Sequence, residues 1–318
     1  MKIYKNGFTD PYFNLASEQY LLESEEDDVF MLWRNEKSVI IGRNQNAYAE
    51  INRGFVAENN IAVVRRLTGG GAVFHDPGNI NYTFIMKKGE AQALDFARFC
   101  APVVDALRAL GVPAELSGRN DLTADGKKFS GNAQCVYNGR VLHHGTILFS
   151  ADMTKMAEAL NPDVEKMKSN GVKSVRARVC NLNEFLPDMD VLQLKEYLEQ
   201  SVDGKVTEFS DGQINGIKKL KAEKYEMWEW NYGKSKTYEK TERRRFPFGS
   251  VEVSYTSEHG ILTDVKINGD FFGVKPVSEL EKSLVGKRLS RDEITSALSD
   301  ISSFIHGAEP EQTAALFE

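Results

Sequence analysis

The chain has 318 residues, 41% of them hydrophobic and 27% charged, enough to bury a core without disulfides or structural metal. Its net charge of −6 excludes a general electrostatic grip on nucleic acid and leaves room only for a local positive cluster. Three scattered cysteines (Cys100, Cys135, Cys180) argue against a disulfide framework or zinc site, and no run is apolar enough for a membrane helix. With no leader-like N-terminus, the expectation is a cytoplasmic protein, monomeric by default.

In chain order, Asp10-Pro11 predicts an N-cap and first-turn proline opening a helix through Glu23. Val29 to Arg34 and Lys37 to Ile41 read as two strands of a hairpin around Asn35-Glu36. A β-rich run, Ile61 to Arg66, leads into three glycines, Gly69 to Gly71, and a second run ends Asn81 to Met86. Phe96, Phe99, Val103, Leu107 and Leu110 recur at helical spacing and predict a helix from Ala91 to Leu110, stopped by Gly111. Phe129 to Tyr137 and Val141 to Phe149 form an expected hairpin through Asn138-Gly139.

Further helices are expected near Met153 to Leu160, Val191 to Ser201 and Asp211 to Tyr225. An aromatic stretch, Trp228 to Lys234, and a basic run, Arg243 to Arg245, precede strands at Val251 to Tyr255 and Ile261 to Ile267. Ser290 with Glu293 reads as a capping box. A boundary near Pro247 divides the chain into a catalytic unit, 1–246, and a small C-terminal α+β unit, 247–318. Strand runs mixed with separate helices favour α+β over an alternating βαβ sheet.

Three clusters carry chemistry. In Arg65 to Asp76, the glycines let a ligand approach the main chain, and two arginines offer donor forks to an anion. No Gly-Lys-Ser/Thr follows, so this is not a Walker A loop, nor is it GxGxxG. Gly118 to Asp121 supplies a carboxylate, Asp121, able to help hold Mg²⁺. In Lys127 to Ala133, strand alternation places Lys128, Ser130 and Asn132 on one face, with the Lys128 ammonium able to meet a phosphate and a carbonyl oxygen. Each has a plainer reading: a hairpin turn, a turn-forming Asn-Asp pair, a solvated lysine pair. His143 and His144 point opposite ways on a strand and cannot easily share a metal; one packed and one exposed is the simplest reading. His75-Asp76 lacks the serine or cysteine that would complete a triad.

At these clusters the chain resembles the lipoate–protein ligase A family. The matching strings are Arg65 to Asp76 with Gly78-Asn79, Asn120-Asp121, Lys128 to Ala133 and His143 to Leu148, joined by Gly42 to Asn46, Ser174 to Val179 and Trp228 to Lys234. The resemblance implies a biotin/lipoate ligase-type mixed-sheet catalytic domain that makes lipoyl-adenylate from lipoate and ATP with Mg²⁺. A lysine of an acceptor then displaces AMP. The acceptors it implies are lipoyl domains of 2-oxo acid dehydrogenase E2 subunits and the glycine-cleavage H protein, with octanoate as another possible acid.

Carried over by motif, Lys128 would be catalytic. Arg66, Gly69, Gly70, Gly71, Ser130, Gly131 and His144 would hold the acyl-adenylate, and Trp33 and His75 would border the acyl tunnel. Gly71, Val73, Phe74, Asn79, Asp121 and Lys128 would bind ATP, with Asp121 as the metal ligand. Relatives of the same fold transfer octanoyl or lipoyl groups between carriers, some through a cysteine thioester; Cys180, following Arg176 and Arg178, is the alternative nucleophile. A non-catalytic binding protein would be expected to lose the lysine, arginines or glycine turn, all present here, and the Arg-Leu-Thr-Gly-Gly-Gly turn is unlike the biotin-ligase loop.

Overall fold

The computed structural model describes residues 1–87, 94–160, 178–232 and 238–317. An eight-stranded mixed sheet runs in the order β11 (Lys205–Thr207), β1 (Lys2–Lys5), β2 (Val29–Trp33), β6 (Asn79–Lys87), β10 (Arg140–Leu148), β9 (Lys127–Tyr137), β8 (Asp121–Ala124), β7 (Ala114–Ser117). Only β1 pairs in parallel, with β11 and β2; every other neighbour is antiparallel. A smaller sheet, β4 (Ala62–Arg65), β3 (Ser38–Ile41), β5 (Val73–His75), lies apart from it in the topology.

All five residues of β2 are buried, as expected of a strand covered on both faces. One face packs on helix Phe96–Ala109 through Phe30, Tyr82, Phe84, Phe99, Val103 and Leu107. The other packs on helix Pro11–Ser24 through Phe13, Leu15, Met31, Trp33 and Leu142. That helix starts where expected, because the Asp10 carboxylate accepts from Tyr12 N at 2.9 Å and Pro11 stands in its first turn. The β9–β10 hairpin also forms as expected, with Asn138 (φ 46°) and Gly139 (φ 73°) both left-handed, as its two-residue turn demands.

Three expectations need correction. The strands at 29–41 are no hairpin: β2 joins the large sheet and β3 the small one. Their connection is tied sideways, with Glu36 N donating to Thr9 O and the Asn35 side chain buried between Asn14 and His75. Helix Phe96–Ala109 starts five residues later than expected, capped by Asp95; residues 91–93 of the expected span lie outside the described residues. Ser290 precedes helix Arg291–Ala297 without a side-chain capping bond, and Glu293 instead accepts from Arg288 N.

The C-terminal sheet is an antiparallel meander, β12 (Lys240–Phe246), β13 (Gly249–Glu258), β14 (Ile261–Gly269), packed on helices Val277–Leu284 and Arg291–Ala297. β12 pairs with β13 along its whole length, so the expected boundary at Pro247 falls between two strands of one sheet. This sheet abuts the catalytic unit: Phe272 packs on Phe96 at 5.5 Å between ring centres, and the Arg119 guanidinium lies 4.6 Å over the Phe272 ring.

Candidate active site

Strand register builds a cleft of about 740 Å³ on the face of the large sheet turned to helix Pro11–Ser24. Trp33 pairs with Asn81, Asn81 with Thr146, and Gly131 with Asp121; Gly131 N donates to Thr146 Oγ1 at 3.1 Å, joining the two halves. These five residues form one row across β2, β6, β10, β9 and β8, and all line the cleft. Four strand spacings put its ends about 19 Å apart. Two residues along, the parallel row Met31, Thr83, His144, Ala133 adds His144 and Ala133 to the floor. Leu15, Ile40, Ala72 and Val73 join Trp33 as apolar lining, and Arg66, Gly70, Gly71 and His75 complete that side.

The row ends in charge. Lys128 Nζ stands 2.7 Å from Asp121 Oδ1, with both side chains about four-tenths exposed. A bulge puts it there: Leu122 pairs with Ser130 and Thr123 with Lys128, so Phe129 is an extra residue and the alternation changes phase. Lys128 and Gly131 therefore share the cleft face. A Cβ on Gly131 would stand 3.1 Å from Lys128 Nζ, which shows the ammonium lying over the glycine. Ser130, expected beside Lys128, is turned away and buried within 3.3 Å of Asn132 Nδ2.

Among the described residues, five cations, Lys128, Arg66, Arg119, Arg178 and Arg245, line the cleft against two carboxylates, Asp121 and Asp270. The surplus suits a polyanion. Arg119, Arg178, Arg245 and Asp270 were missed as site residues. Arg119 stood inside the Gly118 to Asp121 cluster and Arg178 inside the string Ser174 to Val179, whereas Arg245 ended a basic run ahead of the C-terminal strands and reaches the cleft because that run forms β12. Its Nη1 donates to Ser250 Oγ at 2.9 Å and lies 3.4 Å from Asp270.

Arg66 and Arg65 do different work from the expected anion forks. Arg66 Nη2 donates to Gly69 O and Gly71 O at 2.7 and 2.8 Å, so it holds the glycine turn from below. Arg65 gives its donors to the carbonyls of Gly42, Arg43, Gln45, Trp230 and Asn231 and lies outside the cleft lining. Burial lowers both guanidinium pKa values to about 10. Gly70 adopts φ 91°, and a Cβ on Gly42 would stand 2.0 Å from Gly70 O, so two backbones meet where no side chain fits.

A polar chain runs under the turn. Arg66 Nε donates to Thr68 Oγ1, which meets His144 Nε2 at 2.8 Å; His144 Nδ1 lies 2.9 Å from Glu18 Oε1. Thr83 Oγ1 donates to the same carboxylate and accepts from Trp33 Nε1. His143 points away, as alternation requires, but neither histidine is exposed as expected. His143 stacks on Phe99, with ring centres 5.1 Å apart, and burial drives its pKa well down.

The cleft thus brings together Lys128, Asp121, Arg66, Gly70, Gly71, Val73, His75, Trp33, Gly131 and His144. Phe74, Asn79, Ser130 and Gly69 stand outside its lining. Phe74 alternates away between Val73 and His75 and packs on Val39 and Ile41, while Asn79 is buried, donating to Asn81 Oδ1. Cys180 is only 2% exposed and donates to Lys127 O; burial pushes its thiol up to about 11, opposite to what a nucleophile needs. Arg176, expected to favour a thiolate there, lies outside the described residues. Cys135, buried, is pushed up to about 12.

A mixed sheet with an apolar-to-cationic cleft and a small C-terminal sheet domain is the architecture of the biotin/lipoate ligase fold, and solved structures bear this out. The crystal structure of P. falciparum LipL1 in complex with lipoate superposes with a TM-score of 0.80 at 26% identity, covering 94% of this chain and 93% of that one. Lipoate–protein ligase A bound with ATP matches at a TM-score of 0.61 and 25% identity, over 73% of this chain and 99% of that one. Residues 10–203 match the lipoyl protein ligase A/B catalytic domain and 235–317 the bacterial lipoate protein ligase C-terminus. Lipoate–protein ligase LplJ of Bacillus subtilis is 41% identical over 305 residues, 93% of this chain and 92% of its own length. The chain belongs to the lipoate–protein ligase family.

Proposed function

We propose that this protein activates lipoate with ATP and transfers the lipoyl group to an acceptor lysine in the cytoplasm. The observation that carries the reading is the cleft along the row from Trp33 to Asp121, flanked by Leu15, Ile40 and Val73 beside Trp33, where an acyl chain would lie, and by Lys128 and Arg119 beside Asp121, where a carboxylate and a triphosphate would meet. A carboxylate oxygen attacks the α-phosphorus and pyrophosphate leaves, giving a mixed anhydride. The acceptor amine then attacks the acyl carbonyl, and AMP departs as that C–O bond breaks. Lys128 would neutralise the phosphate and the carbonyl oxygen as charge builds in each step.

Among the described residues no group of three or more His, Cys, Asp and Glu side chains could cage an ion. Of the two carboxylates in the cleft lining, Asp270 lies against Arg245, and Asp121 fits an Mg²⁺ carried in on phosphate oxygens, which needs only one or two carboxylates. Bound there, Mg²⁺ would neutralise the departing pyrophosphate. Asp121 would give up its ion pair with Lys128 to hold it, freeing the ammonium for substrate. The acyl chain would lie along Trp33, Leu15, Ile40 and Val73, gaining ~0.8 kcal/mol per buried CH₂. Lipoyl domains of E2 subunits and the H protein are the acceptors this reading names, with octanoate a second acid.

Transfer through a cysteine thioester has no support from Cys135 or Cys180, both buried with raised pKa values. The test of activation is pyrophosphate release from Mg-ATP on addition of lipoate alone. Lipoate-dependent release is expected; release that ignores lipoate would overturn the reading.

A further inference from the structure

Beside Trp33 the cleft holds a buried hydrogen-bond donor with no partner among the described residues. His75 lines the cleft, is 2% exposed and meets the Trp33 ring edge-on, 6.1 Å between centres. Its proton position follows from a chain of asparagines. Asn14 Nδ2 donates to Phe8 O and Arg34 O, so that atom is nitrogen, and the Asn35 atom 2.9 Å from it must be the oxygen. Asn35 Nδ2 therefore points at His75 Nδ1, 3.1 Å away, and makes that nitrogen the acceptor. The proton is left on Nε2, which is buried and has no partner among the described residues. Burial and the Arg66 charge lower the imidazole pKa to about 3, so the ring is neutral at working pH.

Native proteins rarely leave a buried N–H unpaired, and one that faces a ligand cleft is a recognition element in waiting. We propose that His75 Nε2–H selects the acyl chain by donating a hydrogen bond to a sulfur of a dithiolane ring, with Asn35 as the residue that positions it. This deepens the lipoate-ligase reading and rests on it. A hydrocarbon of the same shape would cover the N–H and leave it unsatisfied, whereas a ring sulfur, a weak but polarisable acceptor, would meet it. Contact of sulfur with the Trp33 ring adds to the preference whatever stands at position 75, so the donor's share is read from the change in the ratio when His75 is replaced.

The test compares lipoate with its carbocyclic analogue, cyclopentylpentanoate, which keeps ring and chain and lacks both sulfurs. kcat/KM for pyrophosphate release and calorimetric Kd are measured with the full-length protein. Wild type is expected to favour lipoate by about fivefold. His75→Leu should lower the lipoate preference severalfold and His75→Gln, which keeps an N–H, should restore part of it. Structural damage alone would lower both acids together and leave their ratio intact. Equal use of the two acids by active wild-type protein overturns the inference without touching the ligase reading, and needs no variant to fold. Absence of pyrophosphate release with either acid overturns the ligase reading and the inference with it.

Discussion

The heaviest chemical duty in the cleft is the one proposed for Lys128, whose side chain is open enough to remove without disturbing the core. Lys128→Ala is expected to cost about 3 kcal/mol of transition-state stabilisation in lipoyl-adenylate formation, about a hundredfold in rate, with thermal stability little changed. Near-normal turnover would take Lys128 out of its role. Cys180→Ser should keep full acyl transfer, since the thiol only donates to Lys127 O. The buried imidazoles bear on acid stability. His75 resists protonation until pH falls to about 3, and His143 is shifted the same way. The unfolded chain takes up those protons near pH 6.5, so the contribution is complete above that pH and declines as pH falls toward 3. Melting temperature should already drop between pH ~7 and ~5, where carboxylates stay ionised; a flat profile contradicts this. Lys128, Asp121 and Gly131 were legible as residue types in their motifs. That Ser130 turns away was not, because a one-residue bulge leaves no mark on composition.

At the scale of elements, the glycine turn is held from three sides: by Arg66 beneath it, by Gly42 against Gly70 O, and by Phe271 O, from which a Cβ on Gly69 would stand 2.2 Å. Gly42→Ala must push the turn or its own strand end aside. A loss of about 1–3 kcal/mol in stability is expected, with a larger fall in adenylate formation than in the melting transition. An unchanged kcat/KM would show that the turn's position is not critical. The helices at 11–24, 153–159 and 191–200 and the Asn138-Gly139 hairpin could be read locally, since caps, turn residues and periodicity all act within a few residues. The split of Val29–Trp33 and Ser38–Ile41 into two sheets could not. It depends on Asn35 reaching Asn14 and His75, contacts remote in sequence and invisible to any local pattern.

Across the whole molecule, the C-terminal sheet domain is part of the cleft, contributing Arg245 and Asp270 and resting Phe272 between Phe96 and Arg119. We propose that the functional boundary precedes Lys240, so that β12 moves with this domain. Phe272→Ala should cost about 3 kcal/mol in stability and speed protease cleavage between the two parts; resistance equal to wild type would argue against a packed junction. The existence of a small second domain was legible from the restarted strand pattern, while its share in the cleft was not, because Arg245 is far in sequence from every other lining residue except Asp270. The central claim is that one cleft joins an acid to ATP and passes the acyl group to a lysine. Intact-mass measurement of an unlipoylated lipoyl domain, incubated with this protein and free lipoate, tests it most directly. A mass gain of one lipoyl group only when Mg-ATP is present is predicted. Modification without ATP, or transfer only from an acylated carrier protein, would contradict the account.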